Sequence, residues 1–313
     1  MHAFRAGCAP HRRPGIVSAP VRLWPGLFYA VAGAIAFSGK SVIIKLAYRY
    51  GVDAVTLIML RMLFALPLFA AMAWWASRGQ PPLSRGDWAG VVGLGVLGYY
   101  LSSFLDFVGL QYITASLERL ILYLNPTLVL VFGWLLHRKP FSRHQLVAMA
   151  VSYCGVLLVF GQELGAVGPG TGWGALLVFG SAVTYALYLV YSGQLVQRLG
   201  SLRLVGLASS VACVCCIVQF LLLRPASVAW QVAPEVVWLS VLNATLCTAV
   251  PVLLVMMAVE RIGPALSAQS GMVGPLSTIA MGAVLLDEPF TAWVAAGTAL
   301  VVAGIWVFSR ASR

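Results

Sequence analysis

QYITASLERLILYLNPTLVLVFGWLLHRKPFSRHQLVAMAVSYCGVLLVF, residues 111–160, has its plan repeated in ERIGPALSAQSGMVGPLSTIAMGAVLLDEPFTAWVAAGTALVVAGIWVFS, residues 260–309. Pro126 answers to Pro275, Gly133 to Gly282, Pro140 and Phe141 to Pro289 and Phe290, Gly155 to Gly304 and Ile113 to Ile262, all at an offset of 149 residues and without a gap. The same offset pairs Trp24 with Trp173, Arg49 with Arg198 and Gly51 with Gly200, so the duplication reaches nearly the whole chain. An internal repeat of this length sets the architecture before any other feature is read.

What the repeated unit is made of follows from composition. Of 313 residues, 61% are hydrophobic and 9% charged, with a mean hydropathy of +0.92, where a soluble domain carries roughly 25% charge. This is the composition of an integral membrane protein. Backbone amides in hydrocarbon must be paired within their own element, so spans are helices of about 20 residues or a closed barrel. Continuous apolar runs exclude the barrel. The expected fold class is therefore all-α, a membrane protein of ten transmembrane helices at 24–46, 54–76, 88–112, 116–136, 144–161, 172–194, 203–223, 235–258, 264–286 and 291–309. Residues 1–22 read as a disordered basic tail, 23–162 as the first five-helix repeat and 163–313 as the second.

The net charge of +11 comes from basic residues scattered between apolar runs, which is a topology signal and not a nucleic-acid surface. Placing the N-terminus in the cytoplasm puts fourteen of the twenty lysines and arginines on that side, and only Arg49 and Arg224 in the opposite loops. Both termini are then cytoplasmic. Five helices per repeat is an odd number, so the two copies enter the membrane in opposite senses. Inverted repeats of this kind place a binding site near the midplane at their interface, where one half rocks against the other.

Charge inside the spans is costly and marks function by default. Lys40, Arg61, Asp106, Glu118 and Arg119 all fall in the outer half of the first repeat, and the second repeat has no counterpart. Gly95, Tyr99, Ser102, Asp106 and Gly109 share one face of helix 3 by their four-three spacing, and Ser181, Tyr185, Tyr188 and Ser192 share one face of helix 6. Gln269 and Ser270 lie together on helix 9. These residues are the candidates for substrate and coupling-ion contacts. The competing reading is structural: small and hydroxyl residues pack helices in membranes, and Asp106 with Lys40 or Arg61, and Glu118 with an arginine, would make ion pairs that hold helices 1 to 4. Asp106 and Glu118 are the carboxylates available to carry a proton if transport is proton-coupled, since all four histidines lie outside the spans. Pro126, Pro251 and Pro275, inside helices 4, 8 and 9, are candidate hinges because each removes a backbone hydrogen bond. Five of the six cysteines, Cys154, Cys213, Cys215, Cys216 and Cys247, fall in spans without paired metal or redox spacing, so no metal or cofactor is expected.

Ten spans in two inverted halves, with Leu60-Arg61-Met62-Leu63-Phe64-Ala65 in helix 2, Gly109-Leu110-Gln111-Tyr112-Ile113 before helix 4, Pro126 within it and Asp287-Glu288-Pro289-Phe290 after helix 9, resemble the EamA family of the drug/metabolite transporter superfamily. The resemblance runs from about residue 24 to 310. It implies export, less often uptake, of a small metabolite such as an amino acid across a bacterial cytoplasmic membrane, by alternating access through a cavity shared by both repeats. The family commonly has a glutamate before the Pro-Phe-like turn of each repeat; Glu288 keeps it, while the first repeat has Lys139. The expected partners are a small-molecule substrate, the lipid bilayer and, if transport is proton-coupled, protons; the oligomeric state, a monomer or a larger assembly, is left open by the sequence. The alternative is an uncoupled facilitator, channel or lipid-moving protein. Reporter fusions at the two termini test the orientation: a fluorescent protein should mature at both ends, and alkaline phosphatase should be inactive at both.

Overall fold

Residues 23–122, 124–137, 142–166, 170–270, 274–287 and 290–311 are described by a computed structural model of the chain. Among them there is no strand. The helices are α1 Leu23–Tyr48, α2 Ala54–Ser77, α3 Arg85–Gly109, α4 in two pieces Ala115–Leu122 and Asn125–His137, α5 Arg143–Ala166, α6 Thr171–Leu199, α7 Ser201–Leu223, α8 at 234–262, α9 at 264–270 and 274–285, and α10 Ala292–Ala311. Five of these helices, α1, α2, α3, α6 and α7, together with the two-piece α4 and the stretch Pro234–Ala268 that joins α8 to the start of α9, are each long and apolar enough to cross a membrane. Ten helical segments thus stand where the sequence places ten spans. The basic tail at 1–22 and the residues Lys139, Pro140, Phe141, Glu288 and Pro289 lie outside the described residues.

Local chemistry sets the ends. The carboxylate of Asp53 accepts from the amides of Val55 and Thr56 and starts α2, and Ser84 with Asp87 forms a reciprocal capping box on α3. Gly263, at φ 80°, separates α8 from α9 in a conformation that costs glycine little, and Pro264 then occupies the first helical position.

The relation between the repeats can be read from which residues meet. Along α2 and α7, Asp53 meets Arg224, Met62 meets Cys213, Ala73 meets the site of Gly206, and Ser77 meets Arg203. Numbers rise on one helix as they fall on the other, so these equivalent helices are antiparallel. The repeats are inverted. The same holds for α3 against α6, where Gly109, Ser102 and Gly98 meet Gly174, Ser181 and Tyr188, and for the equivalent pair α8 and α1, where Ile262, Val255 and Cys247 meet Gly26, Gly33 and Gly39. The contacts of α2 with α7, α4 with α9 and α5 with α10 each join a helix to its own repeat equivalent.

The duplication extends to a local irregularity. A π-helical turn at Gly95–Leu101 in α3 recurs at Thr245–Ala249 in α8, at the 149-residue offset to within a residue. Such turns often mark functional positions in helices. They also alter the proline reading: Pro251 lies two residues past the second π turn, and Pro126 is the second residue of a helical piece that follows a turn at Leu124, not a mid-helix residue, while the residues just before Gly274 and Pro275 lie outside those described. Pro126 therefore breaks no intrahelical bond, because the first turn of a helix has no acceptor for that amide.

Helices approach closely where glycine allows it. A Cβ added to Gly98 would stand 2.3 Å from the Tyr188 ring, so Gly98→Val forces α3 and α6 apart. We expect it to lower the melting temperature of the detergent-solubilised protein, at a cost of about 1–3 kcal/mol or more. Gly93→Ala, whose Cβ would meet nothing within 4 Å, should leave it unchanged or higher.

Candidate functional site

The charged side chains sit near one end of the bundle because of where their helices turn. Lys40 is eight residues from the end of α1, Arg61 seven from the start of α2, Asp106 three from the end of α3 and Glu118 three from the start of α4. At 1.5 Å per residue these lie within about 12 Å of one another in depth. The tertiary fold then brings four of them into contact. Lys40 Nζ is 2.5 Å from Asp106 Oδ2 and 3.7 Å from Glu118 Oε1, and Arg119 Nε is 3.1 Å from Glu118 Oε2. Ser41 donates to Glu118 Oε2 at 2.8 Å, and Arg119 Nη2 donates to Ser41 Oγ at 2.8 Å and to the Phe37 carbonyl at 2.9 Å. Both carboxylates are essentially buried, at 1% and 0% exposure. Their charges are opposed by cations on α1 and α4, so the network ties α1, α3 and α4 together.

Arg61 is different. Its guanidinium, 3% exposed, lies 4.5 Å from the Phe107 ring, and neither Nε nor Nη2 has a hydrogen-bond partner among the described residues.

The polar faces of α3 and α6 meet each other. Tyr99 Oη and Tyr188 Oη are 2.7 Å apart, Ser102 Oγ is 3.0 Å from Ser181 Oγ, and Tyr185 stacks on Tyr188. Much of what spacing marks as a cavity face is therefore also a helix seam. Tyr188 is wholly buried in that seam and does not line the cavity, whereas Tyr99, Ser102 and Tyr185 do.

The cavity itself measures about 160 Å³ and lies between the repeats. Lys40, Arg61, Asp106 and Arg119 of the first repeat face Tyr185, Leu189, Thr248, Val255 and Ser267 of the second. Asn125 and Pro126 close it at the interruption of α4. Glu118 stands behind this wall, and Ser270 is not on it; the side chains of Gln269 and Pro275 lie outside the described residues. Thr248, Asn125 and Ser267 escaped sequence reading. The repeat offset could have flagged the last, since Ser267 occupies the position equivalent to Glu118.

Among the described residues no three histidines, cysteines, aspartates or glutamates cluster as a metal site. The cysteines Cys213 and Cys216 are buried free thiols, Cys213 Sγ lying 3.7 Å from Met62 Sδ.

Removing one partner of a buried pair strands the other, typically at 3–5 kcal/mol. Lys40→Met should therefore lower the melting temperature sharply, and the double variant Lys40→Met with Asp106→Asn should recover part of the loss, as read by thermal unfolding in detergent.

Comparison with known proteins comes to the same architecture from another side. The profile of the EamA-like transporter family matches residues 24–161 and again 172–310. The uncharacterized transporter YcbK of Bacillus subtilis (strain 168) is 30% identical over 270 residues, covering 84% of this chain and 86% of that protein. The uncharacterized transporter YetK of the same organism is 23% identical over 285 residues, covering 90% and 86%. A solved crystal structure at 20% identity superposes with a TM-score of 0.68 over 92% of this chain and 97% of that one, which shows the likeness of fold.

Proposed function

Because the chain belongs to the EamA-like transporter family, matched in both of its halves, we propose that it is a secondary active transporter that exports a small metabolite across the bacterial cytoplasmic membrane by alternating access. The observation that carries this reading is the cavity of about 160 Å³ bounded by charged side chains of one repeat and by hydroxyl and apolar side chains of the other. A site at the interface of inverted repeats is opened to either side by rocking one half against the other. The halves are taken as 23–162 and 163–313, with both termini cytoplasmic, and no catalytic role is assigned to any residue.

In this reading the two antiparallel seams, α3 against α6 and α1 against α8, are the surfaces that shift. Pro126 follows a turn in α4 and Pro251 follows a π turn in α8, and these are positions at which a segment can swing without breaking a regular hydrogen-bond ladder; Pro275, the repeat equivalent of Pro126, is assigned the matching hinge. Coupling is assigned to the carboxylates. Asp106 is on the cavity wall, and a proton arriving there would release Lys40; Glu118, behind it, holds Arg119 and Ser41 in place.

The test is flux into everted vesicles for wild type, Asp106→Asn and Glu118→Gln, with radiolabelled amino acids, carboxylates and nucleosides and an imposed pH gradient. Saturable wild-type uptake driven by the gradient, with the gradient dependence abolished in Asp106→Asn, is the expected result. Saturable but gradient-independent flux in all three would make the protein a facilitator and the cluster structural. Absence of any saturable flux would overturn the transporter reading.

A further inference from the structure

We infer that the cavity binds the carboxylate of a compact monoanionic solute, and that Arg61 is the residue that grips it. This rests on the transport reading of the same cavity and names its substrate class.

The argument begins with charge. Among the described residues around the cavity three cations, Lys40, Arg61 and Arg119, stand against two carboxylates, Asp106 and Glu118. Lys40 pairs with Asp106 and Arg119 with Glu118, which leaves the guanidinium of Arg61 as the uncompensated charge. Arginine cannot discard its proton. A cation held in the membrane interior without an anion is costly to maintain, and a bound anion removes that cost.

Geometry narrows the anion. The two unpartnered nitrogens, Nε and Nη2, form one edge of the guanidinium, and the Phe107 ring covers its face at 4.5 Å. That edge presents two parallel N–H bonds, the fork that matches a planar carboxylate in a bidentate pair. Arg61 is also part of the cavity wall; Nε and Nη2 themselves have almost no accessible surface, so a carboxylate reaches this edge by displacing the side chains that cover it.

Volume and lining describe the remainder of the molecule. A cavity of about 160 Å³ is close to the roughly 150 Å³ that encloses benzene, so the solute is small. Phe37, Met62, Leu122 and Val252 supply apolar surface, while Thr248 and Ser267 have hydroxyls without partners among the described residues. An apolar body with a hydroxyl or no further polar group fits. An ammonium fits less well, because a zwitterion cancels its own carboxylate and leaves the excess positive charge in place.

Ligand pairs of one shape separate these cases. The purified full-length protein is titrated with propionate, isocaproate and benzoate, with the corresponding amides, and with alanine and leucine, following thermal shift and calorimetric binding. At least one acid should bind, and its amide and the matching zwitterion should bind at least tenfold more weakly. Arg61→Gln should weaken acid binding by about 10- to 100-fold, with Arg61→Lys intermediate because it keeps the charge and loses the fork. Without ligand, Arg61→Gln should melt no lower than wild type, since it removes an unpaired buried charge; a purely structural arginine would give a clear drop.

Equal binding of acid and amide, equal binding by Arg61→Gln, or no binding by any acid overturns the inference. Saturable vesicle flux of a solute that is indifferent to Arg61→Gln would sink it while leaving the transporter reading intact. Loss of all saturable flux in wild type would instead remove the transporter reading.

Discussion

In a hydrocarbon interior no water is at hand to satisfy a charge, so each ionised side chain must find its partner within the protein. The pair of Lys40 and Asp106 at 2.5 Å answers that constraint, and Glu118 with Arg119 answers it again one step away. Because each partner comes from a different helix or from the start of α4, satisfying the charges also determines how α1, α3 and α4 stand relative to each other. Arg61 is the exception. The scaffold neutralises four intramembrane charges and leaves the fifth, at the cavity wall, without a paired anion among the described residues.

The scaffold is symmetric and its chemistry is not. Helix pairs, close-packed glycines and even the π turns of α3 and α8 recur in both halves. Yet Lys40, Arg61, Asp106, Glu118 and Arg119 correspond to Leu189, Ser210, Val255, Ser267 and Ala268 in the second half. Packing positions were preserved on both sides of the duplication because the same antiparallel contacts must close in each. Charges differ because one polar wall is enough for a small cavity, and the opposite wall supplies apolar surface and hydroxyls.

Hydroxyl-rich helix faces show why sequence spacing overstates a site. Tyr99, Ser102, Ser181 and Tyr188 all lie on faces that turn inward, but a side chain that turns inward can meet a neighbouring helix instead of a cavity. Spacing reports direction around one helix axis; it carries no information on the distance to the next helix. The prolines give the converse lesson. Pro126 and Pro251 look like kinks in continuous apolar runs, whereas the chain interrupts or rewinds the helix just before them, and that adjustment depends on backbone geometry that no residue pattern encodes.

Length, hydropathy, the 149-residue repeat and the distribution of arginines by themselves determined that this is a helical membrane protein of two copies, since hydrophobic thickness and backbone pairing leave few solutions and an odd number of spans per copy forces inversion. The sequence also named every charge that belongs to the site. What only the tertiary structure decided was the partnering: that Asp106 takes Lys40, that Glu118 takes Arg119, and that Arg61 is left to face the cavity beside Phe107. Pairing depends on distances between helices far apart in the chain, and those are set by side-chain packing across the whole bundle.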